Sequence, residues 1–212
     1  VHLPNGRSAY SFCMCPGGVV VAAASEPGHL VTNGMSYYAR DKQNANAALL
    51  VGVEPADFAG NHPLRGMYWQ QKLEHRAFTA GGSDYTAPAQ LVGDFLIQKA
   101  SQNLQDVEPS YSCGISLGSL DAVLPDFVTE TLRMAIPEMD KKLKGFAHYG
   151  AVMTGVETRS SSPVRIARDE NHQSPLIGLY PCGEGAGYAG GIVSAAVDGI
   201  KTALKIIDNK KA

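Results

Sequence analysis

The fold turns on one stretch of the sequence, Gly178-Leu179-Tyr180-Pro181-Cys182-Gly183-Glu184-Gly185-Ala186-Gly187-Tyr188-Ala189-Gly190-Gly191-Ile192. Leu176 to Cys182 is a short apolar run that reads as a strand. Gly191 to Ile207 reads as a helix, with Ile192, Ala196, Ile200, Ala203 and Ile207 inward and Ser194, Asp198, Lys201 and Lys205 outward. Between them stand five glycines in the nine residues Gly183–Gly191. Glycine at that density marks backbone that turns sharply or that another molecule approaches closely. A helix N-terminus has unpaired N–H groups and a partial positive charge of about half a unit, so it favours anionic or electron-rich ligand atoms.

Gly185-x-Gly187-x-x-Gly190 matches the dinucleotide-binding fingerprint literally. That fingerprint also needs a second parallel strand with an acid about 20 residues further on, whereas only Asn209-Lys210-Lys211-Ala212 follows the helix. No βαβ unit is expected to close here. Gly178-Leu179-Tyr180-Pro181-Cys182-Gly183-Glu184 instead resembles the glycine-aliphatic-aromatic-x-x-glycine-acid strand that ends the FAD domains of the glutathione-reductase-like superfamily. The resemblance implies that Glu184, one methylene longer than the usual aspartate, lies near the ribityl chain or pyrophosphate. It also implies that the Gly190-Gly191-Ile192 turn points its helix at the flavin pyrimidine ring. Cys182, Gly183, Glu184, Gly185, Ala186, Gly187, Tyr188, Ala189, Gly190, Gly191 and Ile192 are therefore the candidate cofactor-binding residues. Another phosphate-bearing ligand and a purely structural turn remain the alternatives for the same glycines.

Other segments carry a wider resemblance. Ser11-Phe12-Cys13-Met14-Cys15-Pro16-Gly17-Gly18, Asn33-Gly34-Met35-Ser36, Asn44-Ala45-Asn46-Ala47-Ala48, Tyr85-x-Ala87-Pro88-x-Gln90 and Gly155 to Arg165 are similar to a bacterial family of FAD-dependent, or NAD(FAD)-utilising, dehydrogenases. They correspond to the later part of such a protein. The resemblance implies a piece of a longer flavoprotein that lacks the N-terminal βαβ unit for the ADP half of FAD. The N-terminal part of the same protein would then be its partner, NAD(P)H a candidate electron donor, and the isolated piece inactive.

Upstream, Val19–Ala24 and Leu30–Thr32 flank Glu26-Pro27-Gly28 as a hairpin, and Ala47–Val53 reads as a buried strand. Trp69, Leu73, Ala77 and Ala80 recur at helical spacing between Pro63 and Gly81-Gly82, with Glu74-His75-Arg76 on a wet face. Thr86 and Pro88 start a second helix through Leu91, Phe95 and Leu96. Pro125 to Ile136 is a third, ended by Pro137. Ala151–Val156 and Val164–Arg168 read as strands around a polar loop. The expected class is α+β: a mixed β-sheet and helical cap over residues 1–175, then the terminal strand and helix of a Rossmann-like FAD domain over residues 176–212.

Composition narrows the function. Eighteen Lys and Arg against twenty Asp and Glu leave a net charge of −2, which gives no field for nucleic acid or anionic membrane. No apolar run reaches the roughly 18 residues of a membrane helix, and no signal segment opens the chain, so a cytoplasmic protein is expected. Four scattered cysteines read as reduced thiols rather than a disulfide scaffold. Cys13 and Cys15 fall on one face of a strand, as core packing, as flavin-side redox residues or, less in keeping with their C-x-C spacing, as metal ligands. Glu157, Arg159, Ser161 and Arg165 form a cluster able to bind a carboxylate or phosphate, or else a solvated loop. No metal spacing is found among the histidines, and no residue is assigned as catalytic acid or base. The function expected is FAD-mediated hydride or electron transfer, and the alternative is a non-catalytic module binding a phosphate-bearing or nucleotide ligand.

Overall fold

A computed structural model describes residues 1–209. The chain is α+β, with two three-stranded sheets and four α-helices among the described residues. It divides into two compact units, residues 1–57 with 71–158, and residues 58–70 with 159–212.

The first unit holds both sheets. β1 (Ala9–Ala22) lies between β2 (Thr32–Ser36) and β3 (Asn44–Val51), antiparallel to each. The expected hairpin is thus present, with β1 reaching far upstream of Val19. Pairing of β1 with β3 slips twice, between Phe12 and Cys15 and between Cys15 and Gly18. At each slip two residues of β1 face one of β3, a bulge that bends the strand. Gly17 sits in the second bulge at φ +51°, and a Cβ there would lie 1.9 Å from the Arg40 carbonyl oxygen. Gly17→Ala is expected to cost about 1–3 kcal/mol through that backbone clash. A thermal melt that does not move would refute this.

β4 (Ala87–Leu91) lies between β5 (Ile115–Leu117, parallel) and β6 (Val152–Thr154, antiparallel). This corrects the helix expected from Thr86. All five β4 residues are buried, so the segment has no amphipathic period, and only α2 (Val92–Leu96) is helical. The buried Gln90 amide is used at both ends, donating to the Lys99 carbonyl at 2.8 Å and accepting the Leu120 N–H at 2.8 Å.

α1 (Arg65–Gly81) forms where periodicity placed it, with its residues from Gln71 onward in this unit. Leu73 and Ala77 are buried as expected, and His75 and Arg76 are exposed as expected, but Glu74 is buried, at 1% exposed, which corrects its place on the wet face. Its Oε1 accepts the Thr158 hydroxyl at 2.7 Å. α3 (Asp126–Asp140) passes through Pro137 instead of ending before it. Proline there forfeits one hydrogen bond near the C-terminal end, and the Lys141 N–H still reaches the Pro137 carbonyl. Phe95 joins Val92, Val128, Leu132 and Ile136 in the main α3-facing core cluster. Leu30, Ala77, Ala87, Tyr111, Val123 and Val156 form another.

The second unit contains the first residues of α1, a long irregular segment and α4 (Ile192–Asn209). No strand forms at 164–168 or at 176–182, against expectation. A strand needs a hydrogen-bonded neighbour, and among the described residues of this unit there is no sheet to join; Ile177 is 95% exposed. The inward face expected of α4 is not buried: Ile192, Ala196, Ile200, Ala203 and Ile207 are exposed, Ser194, Lys201 and Lys205 are exposed as expected, and Asp198 is half-buried beside the buried Thr202.

Candidate functional site

The glycine-rich turn is built from two closely spaced backbone bonds. The Gly187 N–H reaches the Glu184 carbonyl at 2.9 Å and the Tyr188 N–H reaches the Gly183 carbonyl at 3.0 Å. The Ala195 N–H then bonds the Gly191 carbonyl at 2.9 Å and opens α4. The N–H groups before Ala195 have no helical acceptor, which leaves donors at this end of the helix.

The glycines have different causes. Gly183 and Gly187 have φ of +73° and +82°, where a side chain is strained. A Cβ on Gly187 would also come within 2.5 Å of the Val164 carbonyl. Part of the glycine requirement is therefore the packing of segment 164–168 against the turn, where the Ile166 N–H donates to the Ala186 carbonyl at 3.1 Å. Gly185 is different: no atom lies within 4 Å of its would-be Cβ and its φ is not positive. Nothing within the chain asks for glycine there.

An ion pair fixes the turn to α4. Arg168 makes a two-pronged contact with Asp198, Nη1 to Oδ2 at 3.0 Å and Nη2 to Oδ1 at 2.7 Å, and donates to the Pro181 carbonyl at 2.7 Å. Asp198 Oδ2 also accepts the Gly183 N–H at 2.9 Å. Tyr188 lies with its ring 3.6 Å from the Arg168 guanidinium carbon, and its hydroxyl donates to the Ile166 carbonyl at 2.9 Å. The bonds from Arg168 hold the Asp198 carboxyl at about 2, helped by the Gly183 N–H and opposed by burial. The same pair raises Arg168 above its ordinary value.

Of the expected cofactor residues, Ala186 is buried; Gly183, Glu184, Gly187, Tyr188, Ala189 and Gly191 are half-buried; Cys182, Gly185, Gly190 and Ile192 are exposed. Among the described residues the Glu184 carboxylate makes no hydrogen bond or ion pair. The substrate-side cluster divides: Glu157 belongs to the first unit and Arg159, Ser161 and Arg165 to the second. Burial raises the Glu157 carboxyl above the usual range. Arg165 joins the glycine turn, donating to the Gly187 carbonyl at 2.9 Å. Cys13 and Cys15 lie in the first unit, on β1.

Arg168 and Asp198 escaped the sequence reading. An arginine thirty positions before a helical aspartate carries no pattern, and the apolar stripe of α4 assigned Asp198 to solvent. Among the described residues no group of three or more His, Cys, Asp or Glu side chains is placed to hold a metal ion. No helix among them is long and apolar enough to cross a membrane.

A family described as FAD-dependent protein, C-terminal domain-like, matches residues 1–160, which include β1–β6 and α1–α3 and stop short of the glycine turn. A protein of Clostridium beijerinckii (strain ATCC 51743 / NCIMB 8052), named only as uncharacterized, is 58% identical over 203 residues. The match takes in 95% of this chain but 38% of that protein, so the chain spans well under half the length of its relative. With the matched family covering about three quarters of the sequence, the chain belongs to the family of FAD-dependent protein C-terminal domains.

Proposed function

We propose that the chain is the C-terminal portion of a flavin-dependent oxidoreductase whose Gly183–Ile192 turn and α4 N-terminus hold the pyrimidine end of FAD. The observation that carries this is the half-buried, unpaired Glu184 carboxylate next to Gly185, a glycine that neither backbone angle nor packing requires. The family's description supports the cofactor. Bound FAD would supply two-electron transfer to or from a substrate. The residues of the chain would do the rest. The amides opening α4 would stabilise negative charge gathered on the ring, and Glu184 would accept a hydrogen bond from a ribityl hydroxyl. The Arg168–Asp198 pair would hold Gly183 in place.

The remaining polypeptide of the parent would supply the ADP half of the site and cover the outer face of α4, with residues 1–175 as the cap and residues 176–212 completing the FAD domain. Its setting would be the cytoplasm. NADH or NADPH would be the first electron donors to try. The test is the full-length parent: it should purify yellow or take up added FAD, and Glu184→Ala should lower FAD affinity roughly tenfold or more, the worth of one charge-assisted hydrogen bond. A colourless parent that ignores FAD would sink the proposal. If such a parent bound inorganic phosphate at the turn, the module for a phosphate-bearing ligand would replace it, a reading favoured by Arg165 beside the same turn.

A further inference from the structure

β1 is bent at its cysteines. A regular strand holds the Cβ atoms of residues i and i+2 about 6.6 Å apart, whereas a disulfide needs about 3.8 Å. A straight strand would therefore keep Cys13 and Cys15 from bonding, but this strand is not straight there. The slip between Phe12 and Cys15 makes Cys13 and Met14 share one position opposite β3, and a second slip follows between Cys15 and Gly18. Cys13 has φ of +48°, a conformation unusual for a residue with a side chain. The Cys15 Sγ is folded back to 3.2 Å from the Cys13 carbonyl oxygen. Cys13 is exposed and Cys15 half-buried. Cys13 and Met14 lie outside the regular pairing while Cys15 still pairs with Asn46, so the backbone between the two cysteines is bent and the straight-strand spacing does not hold there.

We propose that Cys13 and Cys15 form a dithiol–disulfide couple that exchanges with small-molecule disulfides. In the oxidising direction the Cys13 thiolate attacks one sulfur of the disulfide, forming a mixed disulfide and expelling one thiolate of the reagent. The Cys15 thiolate then attacks the Cys13 sulfur, closing the intramolecular bond and expelling the second. Two protein thiols and one disulfide give one protein disulfide and two reagent thiols, so two electrons pass to the reagent. Closing so short a ring strains the product, which makes the couple oxidising and easily re-reduced. This proposal stands whether or not the chain binds flavin.

The protein is incubated with excess oxidised glutathione at about pH 8, where ordinary thiols begin to ionise. It is then quenched by acid, alkylated, digested and weighed. The expected peptide carrying Cys13 and Cys15 lacks two hydrogens, carries no glutathione and regains both thiols in dithiothreitol. Cys113 and Cys182, each exposed and far along the chain from any other cysteine, serve as internal controls and should carry glutathione. Cys15→Ser should trap the first step, raising the glutathione adduct on Cys13 roughly tenfold over wild type. A wild-type peptide that is fully alkylated while the controls react, or one that keeps glutathione on Cys13 to the same extent as Cys15→Ser, overturns the proposal. The wild-type measurement decides even if the variant fails to fold.

Discussion

Arg168→Met is expected to loosen the second compact unit by about 3 kcal/mol, because it leaves the Asp198 carboxylate partly buried without its partner. In hydrogen exchange this reads as a roughly hundredfold rise in local opening at the Gly183 and Tyr188 amides. Exchange there unchanged within a factor of two would show that the pair contributes nothing to the turn. The acid dependence follows from the same carboxyl. Its pKa is about 2 in the fold against an ordinary 3.8, so the protonation-linked stability is fully present above about pH 4 and is lost as the pH falls through 2. Wild-type protein should therefore carry this contribution to the turn at neutral pH and lose the contribution between about pH 4 and pH 2. Arg168→Met should remove most of that dependence. Replacing Arg168 and Asp198 together by apolar residues should recover part of the loss, since no charge then remains buried.

Phe95→Ala is expected to have the larger effect on the first unit, about 3–5 kcal/mol. Phe95 is wholly buried among Val92, Val128, Leu132 and Ile136, and the Arg133 guanidinium lies 4.6 Å from its ring centre. Truncation removes the ring and leaves a cavity between α2 and α3 that rigid neighbours fill only in part. Because whole domains are stable by only about 5–15 kcal/mol, most of the unit's margin would go. Leu204→Ala on the outer face of α4 should shift stability by less than about 0.5 kcal/mol. Urea titration followed by circular dichroism measures both, and comparable midpoints for the two variants would contradict the assigned core.

Elements were legible where the sequence had a period and a boundary. α1 has Leu73 and Ala77 at helical spacing, a proline before it and Gly81-Gly82 at its end, and it forms there. The hairpin of β1 and β2 was marked by its apolar arms and turn residues. β4 was misread because Ala87-Pro88-Ala89-Gln90-Leu91 is buried on every side, and a run without a polar face has no period to read. α4 has one clear apolar face, which reads as the inward side, yet that face is the exposed one. What turns it is the Arg168 contact with Asp198, which ties a polar side inward and cannot be seen in local spacing. Within the candidate site, glycine density located the turn. It did not distinguish Gly187, held by Val164, from Gly185, which nothing in the chain constrains.

That orientation of α4 bears on how the chain behaves in a test tube. Ile192, Val193, Val197, Ile200, Leu204 and Ile207 all lie open to water along one helix, and a net charge of −2 offers little colloidal repulsion. Salting-out agents strengthen the sticking of such a surface, so sulfate would drive these molecules together sooner than chloride, and a mild detergent would part them. Dilution, choice of salt and amphiphile therefore decide whether measurements on the isolated chain report single molecules.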